Sequence, residues 1–324
     1  MQAGILKLLR KSGGKYVSGE EIADRLGVSR TAVWKHIGEL RNLGYRITSQ
    51  PRSGYILEEA PDLLLPEEVQ NGLKTSFIGQ NIIHFDSIGS TNAEAKRLAG
   101  EGATEGTVVV AEEQGKGRGR LDRSFFSPQG GIWFSTILRP AFLPQEAPKC
   151  TLMAAVSVAK AMDAFGFRVG IKWPNDILHE GKKLTGILTE MHAEMDRVNY
   201  IVIGIGINVN IPQSLFPPEL QETATSLQII KGTGIPRLKI FQSVLENMED
   251  LYTTATSRGF SPIMDEWRKC SSTLGHEVQV IGVGQDDRFT GKAVDIDDDG
   301  ALIIDTEKGR RRVLAGDVSI RSSK

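Results

Sequence analysis

Two helix starts and one helix stop lie within residues 18–29, and together they fix a tight turn between two short helices. Ser18-Gly19-Glu20-Glu21 is a capping box, in which the Ser18 hydroxyl accepts an orphan N–H and Glu21 stands three residues on. The helix it opens buries Ile22 and Leu26 and stops at Gly27. Ser29 caps the next helix, whose buried stripe is Val33, Ile37 and Leu40. Two helices joined by Gly27-Val28-Ser29 make a helix-turn-helix. Ile5, Leu8 and Leu9 form the apolar stripe of a preceding helix. The runs starting at Gly44 and Gly54, around Ser49-Gln50-Pro51-Arg52-Ser53, predict a hairpin wing. Thr31 and Lys35 point away from the core stripe, flanked by Arg30 and Trp34, which suits a recognition helix in a major groove. Arg46 and Arg52 are placed near the wing tip for phosphate contact.

The same pattern also serves as a protein-packing module, and charge favours DNA. Residues 1–57 hold ten Lys/Arg and four Asp/Glu, which gives +6. The 324-residue chain as a whole has 39 basic and 40 acidic residues, or −1, so the remainder carries −7. A composition of 40% hydrophobic and 24% charged residues is that of a folded globular chain. Two cysteines, Cys150 and Cys270, exclude a disulfide framework and suggest a reduced, cytoplasmic protein. Five scattered histidines without HxH or HxxxH spacing argue against a His- or Cys-built metal site. No apolar run approaches the length of a membrane span, so no membrane association is expected.

After Pro61 and Pro66 the pattern becomes mixed α/β. Strands are expected at 81–86, 107–113, 131–139, 169–173, 184–194 and 200–209, with an Ala-rich helix over 149–165. Four clusters there can carry chemistry. Ser90-Thr91-Asn92 stands where a strand turns into a helix, and by itself reads as an N-cap. Gln114-Gly115-Lys116-Gly117-Arg118-Gly119-Arg120 alternates glycine with cations, a loop suited to wrapping an anion, although a flexible basic surface loop has the same composition. It is not a Walker A loop. Lys172-Trp173-Pro174-Asn175-Asp176, followed by Lys182-Lys183-Leu184-Thr185-Gly186, packs Lys, Asn and Asp at one strand end. Its ordinary reading is a turn with a core Trp. Gly204-Ile205-Gly206-Ile207-Asn208-Val209-Asn210 lacks the third glycine and following helix of a dinucleotide fingerprint. It reads instead as a buried strand ending in amide side chains.

The joint order of Ser90-Thr91-Asn92, Gly117-Arg118-Gly119-Arg120, Lys172–Asp176, Lys183–Gly186 and Gly204–Asn208 is specific. The chain closely resembles, essentially end to end, the bacterial bifunctional biotin–protein ligases that also repress biotin genes. The resemblance implies an α+β multidomain fold. A winged helix-turn-helix DNA-binding domain occupies 1–62, a mixed α/β catalytic domain of the biotin/lipoyl ligase type 63–272, and a small SH3-like β-barrel 273–324. It implies a biotin site of Ser90, Thr91, Asn92, Gln114, Gly117, Arg118, Gly119, Arg120 and Lys183, and an ATP side of Asn175, Asp176 and Asn208. Where the family loop continues Arg-Gly-Arg, this chain has Leu121-Asp122-Arg123, so Arg123 departs from the pattern.

The implied reaction joins biotin and ATP into biotinyl-5′-AMP and pyrophosphate, then transfers biotin to a lysine of biotin carboxyl carrier protein, a subunit of acetyl-CoA carboxylase. One anion must approach another, so the expected catalytic groups are the cations Arg118, Lys183 and Lys172, with Mg²⁺ on the nucleotide phosphates. Asp176 either orients Lys172 or helps to hold the metal. The adenylate is expected to act as corepressor, favouring a homodimer on operator DNA of biotin genes. Two rivals are a repressor that only senses a ligand and a lipoyl or octanoyl transferase of the same fold class. The tail, 275–322, alternates five short strands with turns at Gly284, Asp297–Gly300 and Lys308-Gly309, the pattern of a small antiparallel barrel. The Asp297–Asp299 run lacks calcium-loop spacing and reads as a solvated turn.

Overall fold

The structure, a computed structural model, describes residues 1–121, 123–282 and 288–315 and the backbone of 318–322. The expected turn at Gly284 and the loop residue Asp122 lie outside them. The chain divides into two compact units, Met1–Asn71 and Gly72–Lys324.

In the first unit, α1 (Gln2–Lys11), α2 (Gly19–Leu26) and α3 (Arg30–Asn42) precede a hairpin of β1 (Arg46–Gln50) and β2 (Gly54–Glu59), and α4 (Pro66–Gln70) closes it. Ser18 Oγ accepts from the Glu21 N–H and Ser29 Oγ from the Ala32 N–H, and Gly27 ends α2 at φ 66°, as the capping pattern predicts. Ile5 and Leu9 are buried with Ile22, Val33, Ile37, Leu40 and Ile47. Leu6 joins them fully, whereas Leu8 is only partly covered, because the α1 stripe is rotated slightly from the expected one.

Two expectations need correction here. Arg46 is not near the wing tip: Gln50 pairs with Gly54, so Arg46 falls at the open end of the hairpin opposite Glu59. Its guanidinium is held by Glu58 and Glu59. Arg52 does sit at the tip, at φ 65°. In addition, residues 63–71 pack within the first unit and not beyond a boundary at 62. Leu65 lies in its core, and the Glu68 carboxylate accepts from the Tyr45 hydroxyl and pairs with Arg10. Burial and the neighbouring Glu68 charge raise the Tyr45 phenol, so the hydroxyl remains a donor.

In the second unit a seven-stranded sheet has the order β3-β4-β5-β9-β8-β7-β6. Its strands are β3 (Ile82–Ile88), β4 (Val108–Gln114), β5 (Ile132–Leu138), β6 (Gly170–Lys172), β7 (Asp176–His179), β8 (Lys182–Ala193) and β9 (Val198–Ile207). β3 and β4 run parallel and the other neighbours antiparallel. The strand β7 was not anticipated: Pro174 ends β6, and the chain turns straight back as a hairpin in which Lys172 pairs with Asp176. Under α5 (Thr91–Gly100) one face buries Ala95, Ala99, Val109, Ile137 and Val202. The opposite face takes α6 (Ala147–Ala164) and α9 (Arg237–Arg258), with Phe134 and Phe241 edge to face at 4.9 Å. Two short helices, α7 (Pro218–Gln221) and α8 (Leu227–Lys231), lead into α9, and α10 (Ser261–Cys270) follows it.

The tail forms a five-stranded antiparallel sheet, β13-β12-β11-β10-β14, built from β10 (Glu277–Gly282), β11 (Arg288–Ile296), β12 (Leu302–Thr306), β13 (Gly309–Val313) and β14 (Val318–Ser322). Asp297 accepts the N–H groups of Asp299 and Ala301 and pairs with Arg312, which makes the acidic run a bonded turn. Trp173 is core, and its indole donates to the Gly300 carbonyl at 3.1 Å.

Replacing Glu68 with Ala removes the acceptor of a hydroxyl whose residue is 2% exposed. Leaving that donor unsatisfied is expected to cost the first unit about 1–3 kcal/mol. Hydrogen exchange of the full chain should show faster exchange across residues 1–71 and none of that change in the seven-stranded sheet.

Candidate active site

At the N-terminus of α5, Ser90 is the N-cap, accepting from the Ala93 N–H, so the ordinary reading of that residue holds. The two residues after it enter a buried polar chain. Thr91 donates its N–H and its hydroxyl to Gln114 Oε1, at 2.8 and 3.0 Å. Gln114 donates to Ser127 Oγ at 3.0 Å. Ser135 Oγ lies 2.8 Å from Thr91 Oγ1 and 2.6 Å from Asn92 Oδ1. Asn92 donates to the Leu188 carbonyl and to Glu190, which also pairs with Lys96 at 2.7 Å. Burial alone would raise the Glu190 carboxyl, but the hydrogen bonds from Lys96 and Asn92 outweigh it and the pKa is lowered.

This chain forms the inner wall of a cavity of about 280 Å³, whose lining includes the neutral Ser90, Thr91, Asn92 and Gln114 together with the cations Arg118, Arg120, Arg123, Lys172 and Lys183. Glycines make its floor possible. Gly186 and Gly206 are cross-strand partners, and a Cβ on either would approach Phe125 to 2.6 or 2.5 Å. A Cβ on Gly204 would lie 1.9 Å from Asn92 Oδ1.

The glycine–cation loop covers the cavity as a folded hairpin. Gln114 N–H donates to Ser127 O, Phe125 N–H to Gly117 O and Gly119 N–H to Arg123 O. Gly117 has no room for a side chain, since its Cβ would meet the Phe125 carbonyl at 2.3 Å. Arg120 donates to Asn175 Oδ1 at 3.2 Å and to the Ala315 carbonyl of the tail. Burial lowers its pKa, with Asp176 acting in the opposite direction. Arg123, whose place was in doubt from sequence, lines the same cavity.

Lys183 Nζ is 2.7 Å from Asp176 Oδ1 and 5.4 Å from the centre of the Phe125 ring. Of the two roles open for Asp176, neither named this partner: it faces Lys172 across the β6–β7 hairpin and ion-pairs with Lys183 from the next strand. Asn175 donates to the Ile187 carbonyl at 2.8 Å and braces the hairpin. Asn208 donates to the Thr225 carbonyl at 2.9 Å, fixing the segment opposite Lys183.

A second cavity of about 330 Å³ shares Ser124, Phe125, Lys172, Asp176 and Lys183 with the first, and adds apolar walls from Phe126, Leu178, Phe216, Leu220 and Ala224, with Asn208. Phe125, Ser135 and Glu190 were not singled out in the sequence, because each acts only through contacts made far along the chain. Among the described residues no group of three or more His, Cys, Asp or Glu is placed to hold a metal, and Asp176 is the sole acid lining either cavity. No helix among them is long and apolar enough to cross a membrane. In the first unit, Arg30, Thr31, Trp34 and Lys35 lie on one exposed side of α3, Trp34 at 67% exposure.

Residues 84–208 match the biotin/lipoate A/B protein ligase family, residues 2–56 an HTH domain and residues 273–321 the biotin protein ligase C-terminal domain. The chain is 43% identical to the bifunctional ligase/repressor BirA of Bacillus spizizenii, over 99% of this chain and 98% of that protein. It is 34% identical to the biotin–[acetyl-CoA-carboxylase] ligase of Mycobacterium tuberculosis, over 79% of this chain and 97% of that one. Among solved structures, the biotin protein ligase from Aquifex aeolicus in complex with biotin and ATP matches with a TM-score of 0.66 at 31% identity, covering 75% of this chain and 100% of that chain.

Gly204→Ala forces the Asn92 side chain of α5 away from β9 and is expected to destabilise the second unit by about 1–3 kcal/mol. Calorimetry should show the lower melting temperature, and any ligand held by the inner wall should bind more weakly to the folded protein.

Proposed function

The chain belongs to the biotin/lipoate A/B protein ligase family, and we propose how its two units divide the work of a bifunctional biotin–protein ligase and DNA-binding repressor. The observation that carries the ligase reading is the polarity of the first cavity. Neutral hydroxyl and amide groups and five cations line it together. A ligand with an uncharged hydrogen-bonding head and an anionic tail, as biotin is, finds partners for both parts there. Its ureido head meets Ser90, Thr91, Asn92 and Gln114, and its carboxylate reaches Lys183, Arg118 and Lys172. The second cavity shares Lys172 and Lys183 with the first and is otherwise largely aromatic and apolar, which suits the nucleoside of ATP, with Asp176 and Asn208 on its border and Asn175 lining the first.

In the first step a biotin carboxylate oxygen attacks the α-phosphorus, and pyrophosphate leaves. The carboxylate is already ionised, so no base is required. The obstacle is repulsion between anions, which fixed cations reduce most in the transition state. Magnesium enters with ATP as the substrate complex. A hydrated magnesium ion needs only one or two carboxylates besides phosphates, and Asp176 offers one. In the second step the ε-amine of a carrier-protein lysine, with an ordinary pKa near 10.4, attacks the mixed anhydride after losing a proton, and AMP leaves. Loop 115–131 over the adenylate excludes water and slows its release.

The winged helix brings Arg30, Thr31, Trp34 and Lys35 to a major groove and Arg52 to a phosphate. Arg46 is occupied by Glu58 and Glu59 and contributes less than its charge suggests. Ordering of the loop by biotinyl-5′-AMP favours a homodimer that binds two operator half-sites in the cytoplasm.

ATP-dependent labelling of a carrier domain with biotin, compared with lipoate, tests the ligase reading; equal labelling by both would refute it. Arg118→Ala should speed loss of biotinyl-5′-AMP while leaving the melting temperature near that of the parent. Lys183→Ala should lose more in adenylation rate than in biotin affinity, because phosphate charge grows in the transition state. Lys35→Ala combined with Arg52→Ala should weaken operator binding and lower its salt dependence by about one unit for each phosphate the variant no longer neutralises, with ligase turnover retained. That binding should require biotin and ATP; tight operator binding by ligand-free monomer would exclude the corepressor mechanism.

A further inference from the structure

We infer that Arg237 is a positioning residue for the ligand-covering loop, because its one guanidinium ties together the two stems from which that loop springs. The inference rests on the reading of loop 115–131 as the cover over biotinyl-5′-AMP. One stem is the end of β4, where Glu112 is 4% exposed; the other ends at Gly131, before β5. Arg237, the first residue of α9 and 2% exposed, places one terminal nitrogen 2.7 Å from Glu112 Oε2. With the other it donates to the Gly131 carbonyl at 2.7 Å. The second Glu112 oxygen lies 3.0 Å from His84 Nε2 on β3.

A planar fork of donors can serve a carboxylate and a carbonyl at once, whereas a lysine ammonium is a single point on a flexible stem. A buried ion pair adds little net stability, since desolvation offsets much of the attraction. Its value lies in fixing geometry. The surroundings fix Arg237 itself. Asn210 donates its backbone N–H to the Gly130 carbonyl at 2.7 Å, and its side chain both accepts from and donates to the backbone of Ile235, at 2.8 and 2.9 Å. The start of α9 is therefore bound to the loop exit two residues before Arg237. Trp133 adds a tie from within, its indole donating to the Pro128 carbonyl at 2.8 Å. Neither Arg237 nor Glu112 lines either cavity, so their influence on the ligand passes through the loop.

The test uses the full chain preloaded with biotin and ATP, following release of biotinyl-5′-AMP in a chase. Arg237→Lys keeps a charge beside Glu112 but gives up the second bond of the fork. Loss of one charge-assisted hydrogen bond predicts release about tenfold faster. The KM for biotin should rise by more than the adenylation kcat falls. Glu112→Gln keeps an acceptor and removes the charge, and should move release in the same direction by less. Release from Arg237→Lys at the parent rate overturns the inference. So does a melting temperature that falls while the split between KM and kcat is absent, since that is a merely structural role. If Arg237→Lys does not fold, Glu112→Gln is judged by the same two criteria. Arg118→Ala separates the failures: faster release there but not in Arg237→Lys sinks the role of Arg237 alone, and no change in either sinks the loop reading as well.

Discussion

The buried polar chain from Lys96 through Glu190, Asn92, Ser135, Thr91 and Gln114 to Ser127 is the interaction on which the catalytic unit depends. It joins α5, three strands and the covering loop. In a low-dielectric interior such a network is strong when every member is satisfied and costly when one is not. The cavity wall is therefore set before any ligand arrives. Groups that line the cavity are the same groups that hold the helix to the sheet. Gly204 belongs to this arrangement by absence, because the space a methyl group would fill is where the Asn92 amide stands.

The electrostatics of the β6–β8 region are arranged differently. Lys183 is held against Asp176, while Lys172 stands on the neighbouring strand, and all three border both cavities. The positive charge of this wall is thus partly balanced within the protein. The carboxylate lessens the cost of placing two lysines on the border of the same cavities. Arg120 extends the same wall to the tail through the Ala315 carbonyl, so the small sheet at the end of the chain helps to hold the loop down.

Much of this was legible in the sequence where the signal is local. Caps at Ser18 and Ser29, the stop at Gly27 and the tail turns at Asp297–Gly300 and Lys308-Gly309 are written in neighbouring residues, and residues from all five short motifs line one cavity. Partners distant in sequence were not legible. Nothing near Asp176 says that it will face Lys183, and nothing near Arg237 points to Glu112, 125 positions earlier. Arg46 is a different case: Glu58-Glu59 was visible, and counting back from the turn would have placed it opposite them. The strand β7 was hidden because Pro174 and Asn175 are good turn residues and only four residues follow before the next turn.

The packing of residues 63–71 bears on how the two activities can be separated physically. A cut after residue 62, where the prolines suggest one, would leave Tyr45 and Arg10 without their carboxylate and open a gap where Leu65 sits. The ligase fragment would carry the complementary stub, with Leu63 and Leu65 parted from the core they pack in. Such stubs are what chaperones and proteases recognise. A minimal ligase that begins at Gly72 carries none of it, and leaves the DNA-binding piece whole.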